Sequence, residues 1–571
     1  MSQETKKQIL IWGAGRIGRG FIGDIFTDSG YELVFVDASQ GLIDQLNQRG
    51  SYTVVRAAGV GQIERVKIDR YQAYHLSEKD TLQTIVNGLD VLAVATFPKV
   101  FEAVAAELRE MILTRRAARP DAPLDIILCT NLVHAGPVFS SALYRGLDEE
   151  QRRYFDAKIG VVESLIIRMA PPAPEEEVAQ DPLVVWTNGY DEFPVDVNAF
   201  KGQPPEIEAF RLVTDMRAEE QRKMYTYNMC HAVLGYQGYQ QGYQLLVDCL
   251  ADPALRTEAE GALGEVSAAL QKEYGFTPEV MAKWVSGVID QTNNPSIADT
   301  VVRMAADPLR KLSKADRLIG PALLCLNNGV EPAHLVRAIA YALHYRNEED
   351  PNSIKITDAL QADGLDASLR AVCGLGEAPL EKALADKIKP AYAQAGKEIT
   401  WRKKAQEAYA LGFEYESVYH GCGQCSYAAV SELLACFDSE VFKAATGLCG
   451  GIGLIHDNTC SAFTGAVLAI GNLYNRRREH FDGDKEAKYT NFDLVQQLYE
   501  KFTAEFGGIT CAHIHTRKYG RPYDLRSKAE REAFEEAGGH GPEGCTDTVG
   551  KASQFAIEVL APLLMEKEEE E

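Results

Sequence analysis

Lys223-Met-Tyr-Thr-Tyr-Asn228-Met-Cys-His231 places an amine, an amide and an imidazole within nine consecutive residues. On an ideal helix, at about 100° per residue, these three groups fall within an arc of about 140°, and Glu220 lands inside it. Such a face suits oxidation of an alcohol. A base takes the hydroxyl proton while an amide N–H donates to the oxygen as negative charge develops there. A lysine serves as that base near neutrality when burial lowers its pKa. His231 can orient the substrate or the lysine, and Glu220 can pass protons to solvent. The same spacing also suits an exposed Lys, a helix Asn and a packed core His.

A hydride lost from carbon needs an acceptor, and Gly13-Ala-Gly15-Arg16-Ile17-Gly18 offers a place for one. The run fits GxGxxG between an apolar strand and a helix, where glycines allow backbone to approach a pyrophosphate at the helix N-terminus. Asp37 ends the next apolar run, 19 residues after Gly18. A carboxylate there accepts hydrogen bonds from ribose hydroxyls and repels a 2′-phosphate, so NAD is expected rather than NADP. A related fold binding another nucleotide, or none, is the alternative.

A second group of reactive side chains lies near the C-terminus. Of twelve cysteines, Cys422, Cys425, Cys436, Cys449, Cys460, Cys511 and Cys545 crowd into the last 150 residues. Clustered thiols in a reducing compartment point to redox or metal chemistry before structural disulfides. Cys422-Gly-Gln-Cys425 suits a dithiol couple or two ligands on one turn. Cys449, Cys460, Cys511 and Cys545 can complete a four-sulfur site for zinc or an iron–sulfur cluster, although no known cluster spacing is present. His513 and His515 are alternative ligands. Packed, inert thiols are the other reading, with Cys436 its best example.

The elements that must hold these groups can be read in outline. QILIWGAG, ELVFVDAS, LDVLAVAT and LDIILCTN are short apolar strands, and IGRGFIGDIFTDSG between the first two is helix-like. Their alternation predicts an α/β Rossmann domain with a doubly wound parallel sheet over 1–200. PPAPEEEVAQDP (171–182) reads as a surface loop and LVVWTNGY as a further strand. A mostly α-helical substrate domain is expected over 201–390 and a mostly α-helical cysteine-rich domain over 400–565, with a linker around 387–400. The acidic run 566–571 is expected to be a disordered tail.

Bulk properties narrow the partners. The 571 residues carry a net charge of -23, which argues against nucleic acid and anionic membranes. No apolar run reaches the roughly 18 residues of a membrane span. A cytoplasmic protein acting on a small molecule is expected.

Lys223, Asn228 and His231 also fit KxxxxNxxH, and over about 8–390 the chain resembles the polyol-specific long-chain dehydrogenases. Further segments carry that resemblance: GAGRIGRGFIG (13–23), FKG (200–202), PLRKLSKADRLIGP (308–321) and ALHYRNEEDP (342–351). It implies Lys223 as general base and Asn228 with Asn131 as donors to the oxyanion, supported by His231 and Glu220. The length is nearest that of the members acting on mannitol 1-phosphate and fructose 6-phosphate. Arg310, Lys311, Arg317, His344 and Arg346 are then candidate donors to a sugar phosphate, or else ordinary ion pairs. Hexuronate reduction and free-polyol oxidation are the neighbouring activities. Thr130 and Ile166-Ile167-Arg168 depart from the family pattern, which leaves the substrate more open than the reaction. From about 400 to 563 the chain resembles the C_GCAxxG_C_C redox-active proteins, through CSYAAVSELLACF, CGGIGLIHDNTCSAFTGAVLAIG, FGGITC and EGCTDTV. That resemblance makes Cys425, Cys460, Cys511 and Cys545 the family cysteines and Cys422 and Cys449 additions. A thiol or metal redox sensor with a diverged dehydrogenase part is the reading from a different class.

Overall fold

Four nearly uninterrupted apolar runs become central strands because both of their faces are covered. In the computed structural model, which describes residues 7–130, 132, 134–297 and 299–570, these are β1 (Gln8–Trp12), β2 (Glu32–Asp37), β6 (Val91–Val94) and β7 (Leu124–Leu128). The intervening β3 (Tyr52–Gly59), β4 (Gln62–Ile68) and β5 (Tyr71–His75), and the later β8 (Ile159–Glu163), were not legible as runs. The main sheet has the order β5-β2-β1-β6-β7-β8, all parallel. This is the doubly wound order, with its switch point between β1 and β6. Alternation along each strand sorts the core: Leu10, Trp12, Val34 and Val36 pack on one face, Ile9, Ile11, Leu33 and Phe35 on the other.

Smaller sheets brace this one. β3 pairs with β4 antiparallel and with β9 (Val185–Thr187) in parallel, while β10 (Phe193–Asp196) pairs with β11 (Phe210–Val213). The FKG segment has a structural duty: the backbone N–H groups of Lys201 and Gly202 donate to buried Asp125 on β7, at 2.7 and 3.0 Å. From Met216 onward the unit is built of helices, including Met216–Lys223, Met229–Gln241 and Pro253–Tyr274.

Three segments differ from the sequence expectation. Within 171–182, Glu175–Gln180 forms a short helix, and Glu177 accepts both Arg65 guanidinium nitrogens at 2.6 and 2.8 Å. The expected linker at 387–400 lies inside a helix, Pro379–Tyr419, despite Pro390; its Ala, Glu and Lys are good helix formers and outweigh that one break. The acidic tail continues the helix Cys545–Glu570, for the same reason.

The chain divides into two units, one ending at Tyr392 and one beginning at Ala393. The second unit is helical, its core drawn from Cys422–Leu433, Ser461–Leu473, Lys485–Phe506 and Cys545–Glu570. No helix among the described residues is long and apolar enough to cross a membrane.

Candidate active site and thiol cavity

The glycine turn follows β1 directly. Gly13 has φ +109°, and a Cβ there would meet the Ala95 carbonyl oxygen at 2.4 Å. A Cβ on Gly18 would lie 1.9 Å from the Gly13 oxygen, so the turn closes only without side chains. Gly15 faces open space, and Arg16 beside it is exposed where the first helical turn begins. Asp37, at the end of β2, accepts the Ala14 N–H at 2.8 Å and the Ser39 N–H at 2.9 Å. Its carboxylate is thereby held beside the turn, within reach of a ribose bound there.

One feature of this turn was missed by pattern reading. The helix after it opens as a π-helical turn, Gly18–Ile22, before becoming α-helical at Gly23–Asp28. Two buried arginines hold that turn. Arg19 donates to the Ala14 carbonyl at 2.8 Å and to the Leu183 carbonyl. Arg168 donates to the Gly20 carbonyl at 3.0 Å, to the Tyr190 carbonyl at 2.6 Å and to the Asp24 carboxylate. Arg168, which ends the Ile166-Ile167-Arg168 segment and keeps that segment's arginine, is therefore a brace for the helix after the glycine turn.

A second π-helical turn, Met224–Asn228, separates Met216–Lys223 from Met229–Gln241. The single ideal helix assumed from spacing is thus interrupted within the constellation itself. Such turns add a residue to the helical cycle and occur often at functional sites.

Lys223 is half-buried, and burial together with the nearby Arg317 guanidinium lowers its pKa to about 8, with Asp316 opposing. His231 meets Thr292 Oγ1 through Nε2 at 3.2 Å. Thr292 spends its own proton on the Val288 carbonyl at 2.7 Å, so its oxygen accepts from Nε2–H and His231 Nδ1 is left as an acceptor. Burial, with Lys223 and Arg317 next, pushes the His231 pKa down to about 3, so the ring is neutral at working pH. Asn228 directs its amide nitrogen at Met224 Sδ, 3.2 Å away, a weak acceptor that a substrate oxygen easily replaces.

Glu220 ties this helix to the carboxyl ends of the sheet strands. It accepts the His134 backbone N–H at 3.2 Å, just after β7, and lies 3.9 Å from the His134 ring. Burial, followed by the charge of Glu163 at the end of β8, raises its pKa to about 7. The His134 side chain is 61% exposed, which gives the buried Glu220 carboxyl a route to water. Sequence spacing gave no sign of His134, Glu163 or Thr292, which join the site from distant elements. Asn131 lies outside the described residues.

The five candidate phosphate donors do not form one group. Arg310 pairs with Asp307 at 2.9 Å and Asp316 at 3.3 Å, and Arg317 with Asp316 at 2.6 Å. Lys311 is buried against the Met304 carbonyl; burial, then Arg317 and Arg310, lower its pKa to about 7. Arg317 neighbours Lys223 and His231 electrostatically, Lys311 neighbours His231, and Arg310 adjoins Lys311. His344 is turned elsewhere, stacked on Tyr392 with Nε2 2.9 Å from its carbonyl. Arg346 is exposed among Glu348, Thr357 and Asp358.

In the second unit, Cys422, Cys449, Cys460, Cys511 and Cys545 line one cavity of about 260 Å³, together with Glu416, His515 and His540. Cys425 is not part of that lining; its thiol donates to the His420 carbonyl at 3.3 Å and adjoins Glu416 from outside the cavity. His515 Nε2 lies 3.6 Å from the Cys511 sulfur and 3.9 Å from that of Cys545. All twelve cysteines are free thiols. Among the described residues, no three His, Cys, Asp or Glu side chains stand close enough to share a metal ion. The donor arrangement therefore does not fit a metal centre, and the cluster expected as one possibility finds no support. Half-buried Cys436 lies outside the cavity lining. His513, on the helix beginning at Cys511, is likewise absent from that lining.

Comparison with known families agrees with this division. Residues 7–209 match the mannitol dehydrogenase Rossmann domain, 215–394 the mannitol dehydrogenase C-terminal domain, and 420–559 the C_GCAxxG_C_C redox-active domain. Among solved structures, a substrate-free D-sorbitol dehydrogenase is similar, with a TM-score of 0.59, 17% identity, and coverage of 70% of this chain and 93% of the other. The mannitol 2-dehydrogenase of Pseudomonas fluorescens, solved with NAD and D-mannitol, gives a TM-score of 0.54, 16% identity, and coverage of 70% and 93%. At these identities the likeness speaks for the fold.

Proposed function

Because the chain belongs over residues 7–394 to the mannitol dehydrogenase family, we propose that it interconverts a sugar alcohol and a ketose with NAD, and that the substrate is phosphorylated, mannitol 1-phosphate and fructose 6-phosphate. The observation that carries the reaction is the half-buried Lys223, its pKa lowered to about 8 and its neighbours the neutral His231 and the Asn228 amide. The turn at Gly13, Gly15 and Gly18 and the Asp37 carboxylate fit a dinucleotide, which when bound accepts or returns the hydride.

The protein's own part is proton handling and orientation. Neutral Lys223 takes the proton of the reacting hydroxyl. The Asn228 amide, with Asn131 as its proposed partner, donates to the oxygen as charge develops there. His231 Nδ1 accepts from a substrate hydroxyl or from the lysine and so fixes their orientation. Glu220, poised near neutrality, takes the proton onward toward His134 and water.

Lys311 and Arg317 beside this site, with Arg310 next to Lys311, support the phosphate. Asp307 and Asp316 neutralise part of that charge, which favours the second reading, a free polyol or a hexuronate. A panel decides: NADH consumption is followed with fructose 6-phosphate, fructose, fructuronate and tagaturonate, with Lys223→Ala alongside. Turnover of fructose 6-phosphate alone, lost in the variant, is expected. Turnover of another ketose would retain the mechanism and overturn the phosphate. The cysteine-rich unit we read as an appended thiol redox module acting in the cytoplasm.

A further inference from the structure

The cavity in the second unit holds one pair of thiols arranged differently from the rest. Cys422 is the first residue of its helix, and its thiol lies 3.0 Å from Glu416 Oε1. On its other side stands Cys449, hydrogen-bonded to the Cys422 thiol and also accepting the backbone N–H groups of Cys422 and Gly450. The Cys449 sulfur therefore lies at a helix N-terminus with two backbone N–H groups aimed at it, and accepts the Cys422 proton when Glu416 does not, a setting that stabilises a thiolate. Glu416, Cys422 and Cys449 form a row in which one thiol proton can lie toward either end.

Two further facts separate this row from ordinary packed cysteines. Glu416 is fully buried, and its Oε2 has no hydrogen-bond partner among the described residues. A carboxyl costs free energy in such a place unless it is used or protonated. Burial raises its pKa to about 7, while Cys449 is lowered to about 7 by its hydrogen bonds, first that from Cys422. The Cys422 thiol is raised well above its ordinary value, first by its hydrogen bond to Cys449, and those of Cys460, Cys511 and Cys545 are raised by burial, so Cys449 alone among the cavity thiols is lowered. The cavity beside the row is lined by Leu454, Ile514, Leu525 and Phe534, which suits an uncharged sulfur–sulfur bond.

We propose that Cys422 and Cys449, rather than the cysteines shared with the family, are the working dithiol of this unit, reducing an organic disulfide with Glu416 as proton acceptor. The inference rests on the thiol redox reading of the unit and not on the dehydrogenase. The Cys449 thiolate attacks one sulfur of the disulfide RSSR; a Cys449–SR bond forms and RS⁻ leaves. Glu416 then takes the Cys422 proton, and the Cys422 thiolate attacks the Cys449 sulfur. The Cys422–Cys449 bond forms, and the second RS⁻ departs with the proton that Glu416 held. The two cysteines lose two electrons and the organic disulfide gains them.

The test uses the reduced full-length chain and oxidised glutathione. Released glutathione is counted, and disulfides are mapped by alkylation, proteolysis and mass spectrometry. Release of two glutathione equivalents per chain with a single Cys422–Cys449 bond is expected. Cys422→Ser should stop at one equivalent, with glutathione trapped on Cys449. Cys449→Ser should slow the first release by about an order of magnitude, the gain in thiolate fraction being partly offset by weaker nucleophilicity. A bond between any other pair, or equal labelling of all cavity thiols, would overturn the assignment of the pair while leaving a redox unit. No reaction of any thiol would overturn both. The wild-type mapping stands even if a variant fails to fold.

Discussion

The Lys223 site and the Cys422–Cys449 row use the same physical device with different outlets. Each contains a buried carboxyl whose pKa rises to about 7, Glu220 three residues before Lys223 on its helix and Glu416 at the Cys422 thiol. Glu220 meets the exposed His134, so a proton taken from substrate can leave with each turnover. Glu416 is fully buried, touches the thiol it serves and lies 3.7 Å from the ring of His540, whose side chain is only 20% exposed, so its proton is held closer to the dithiol step. The contrast teaches that a raised carboxyl pKa marks a proton acceptor, and that what it touches next decides whether protons are exported or held.

Substitutions can break this comparison, beginning with the largest effect. Lys223→Ala should lower kcat by about 10²–10⁴-fold, the usual loss of a general base. Stopped-flow measurement of hydride transfer checks this, and retention of more than a tenth of the rate would remove Lys223 from its role. Asn228→Ala should cost about 10²-fold in kcat with little change in KM, because its hydrogen bond strengthens as the oxygen gains charge. Mainly a KM effect would make Asn228 a binding residue.

Smaller effects sharpen the contrast. Asp37→Ala should raise KM for NAD about tenfold and narrow the preference over NADP, the effect of losing a ribose acceptor and the repulsion of a 2′-phosphate. Cys425→Ser should leave the rate of exchange with oxidised glutathione within about twofold, since that thiol is outside the cavity lining and a serine hydroxyl keeps the hydrogen bond to the His420 carbonyl and the contact with Glu416. A slowing like that of Cys449→Ser would erase the distinction between the added cysteines and the shared ones.

The pH profile has a definite sign. Lys223 must be neutral to accept a proton, so polyol oxidation should rise with pH and level off above about 8. Ketose reduction needs the protonated amine and should fall above about 8. Glu220→Gln should depress oxidation most where proton export limits the rate, with a solvent isotope effect as the readout. An unchanged profile and isotope effect would leave Glu220 a structural group.

The amino-acid sequence by itself determined the doubly wound sheet, the glycine turn with Asp37, and the short run holding Lys223, Asn228 and His231. These depend on local chemistry: apolar strands long enough to be covered on both faces, a turn that only glycine allows, and groups a few residues apart on one helix. Tertiary structure decided the rest. The π-helical turn at Met224–Asn228 re-aims the constellation, and no periodicity in the residues announces it. Glu163, His134 and Thr292 reach the site only through strand and helix packing, and the same packing separates Arg317 and Lys311, near Lys223 and His231, from His344 and Arg346 elsewhere. Among the cysteines, spacing grouped Cys422 with Cys425, yet only Cys422 lines the cavity, and Cys449 arrives from a separate loop. Which thiols meet, and which carboxyl is trapped beside them, depends on helices brought together across more than a hundred residues, information that no local pattern carries.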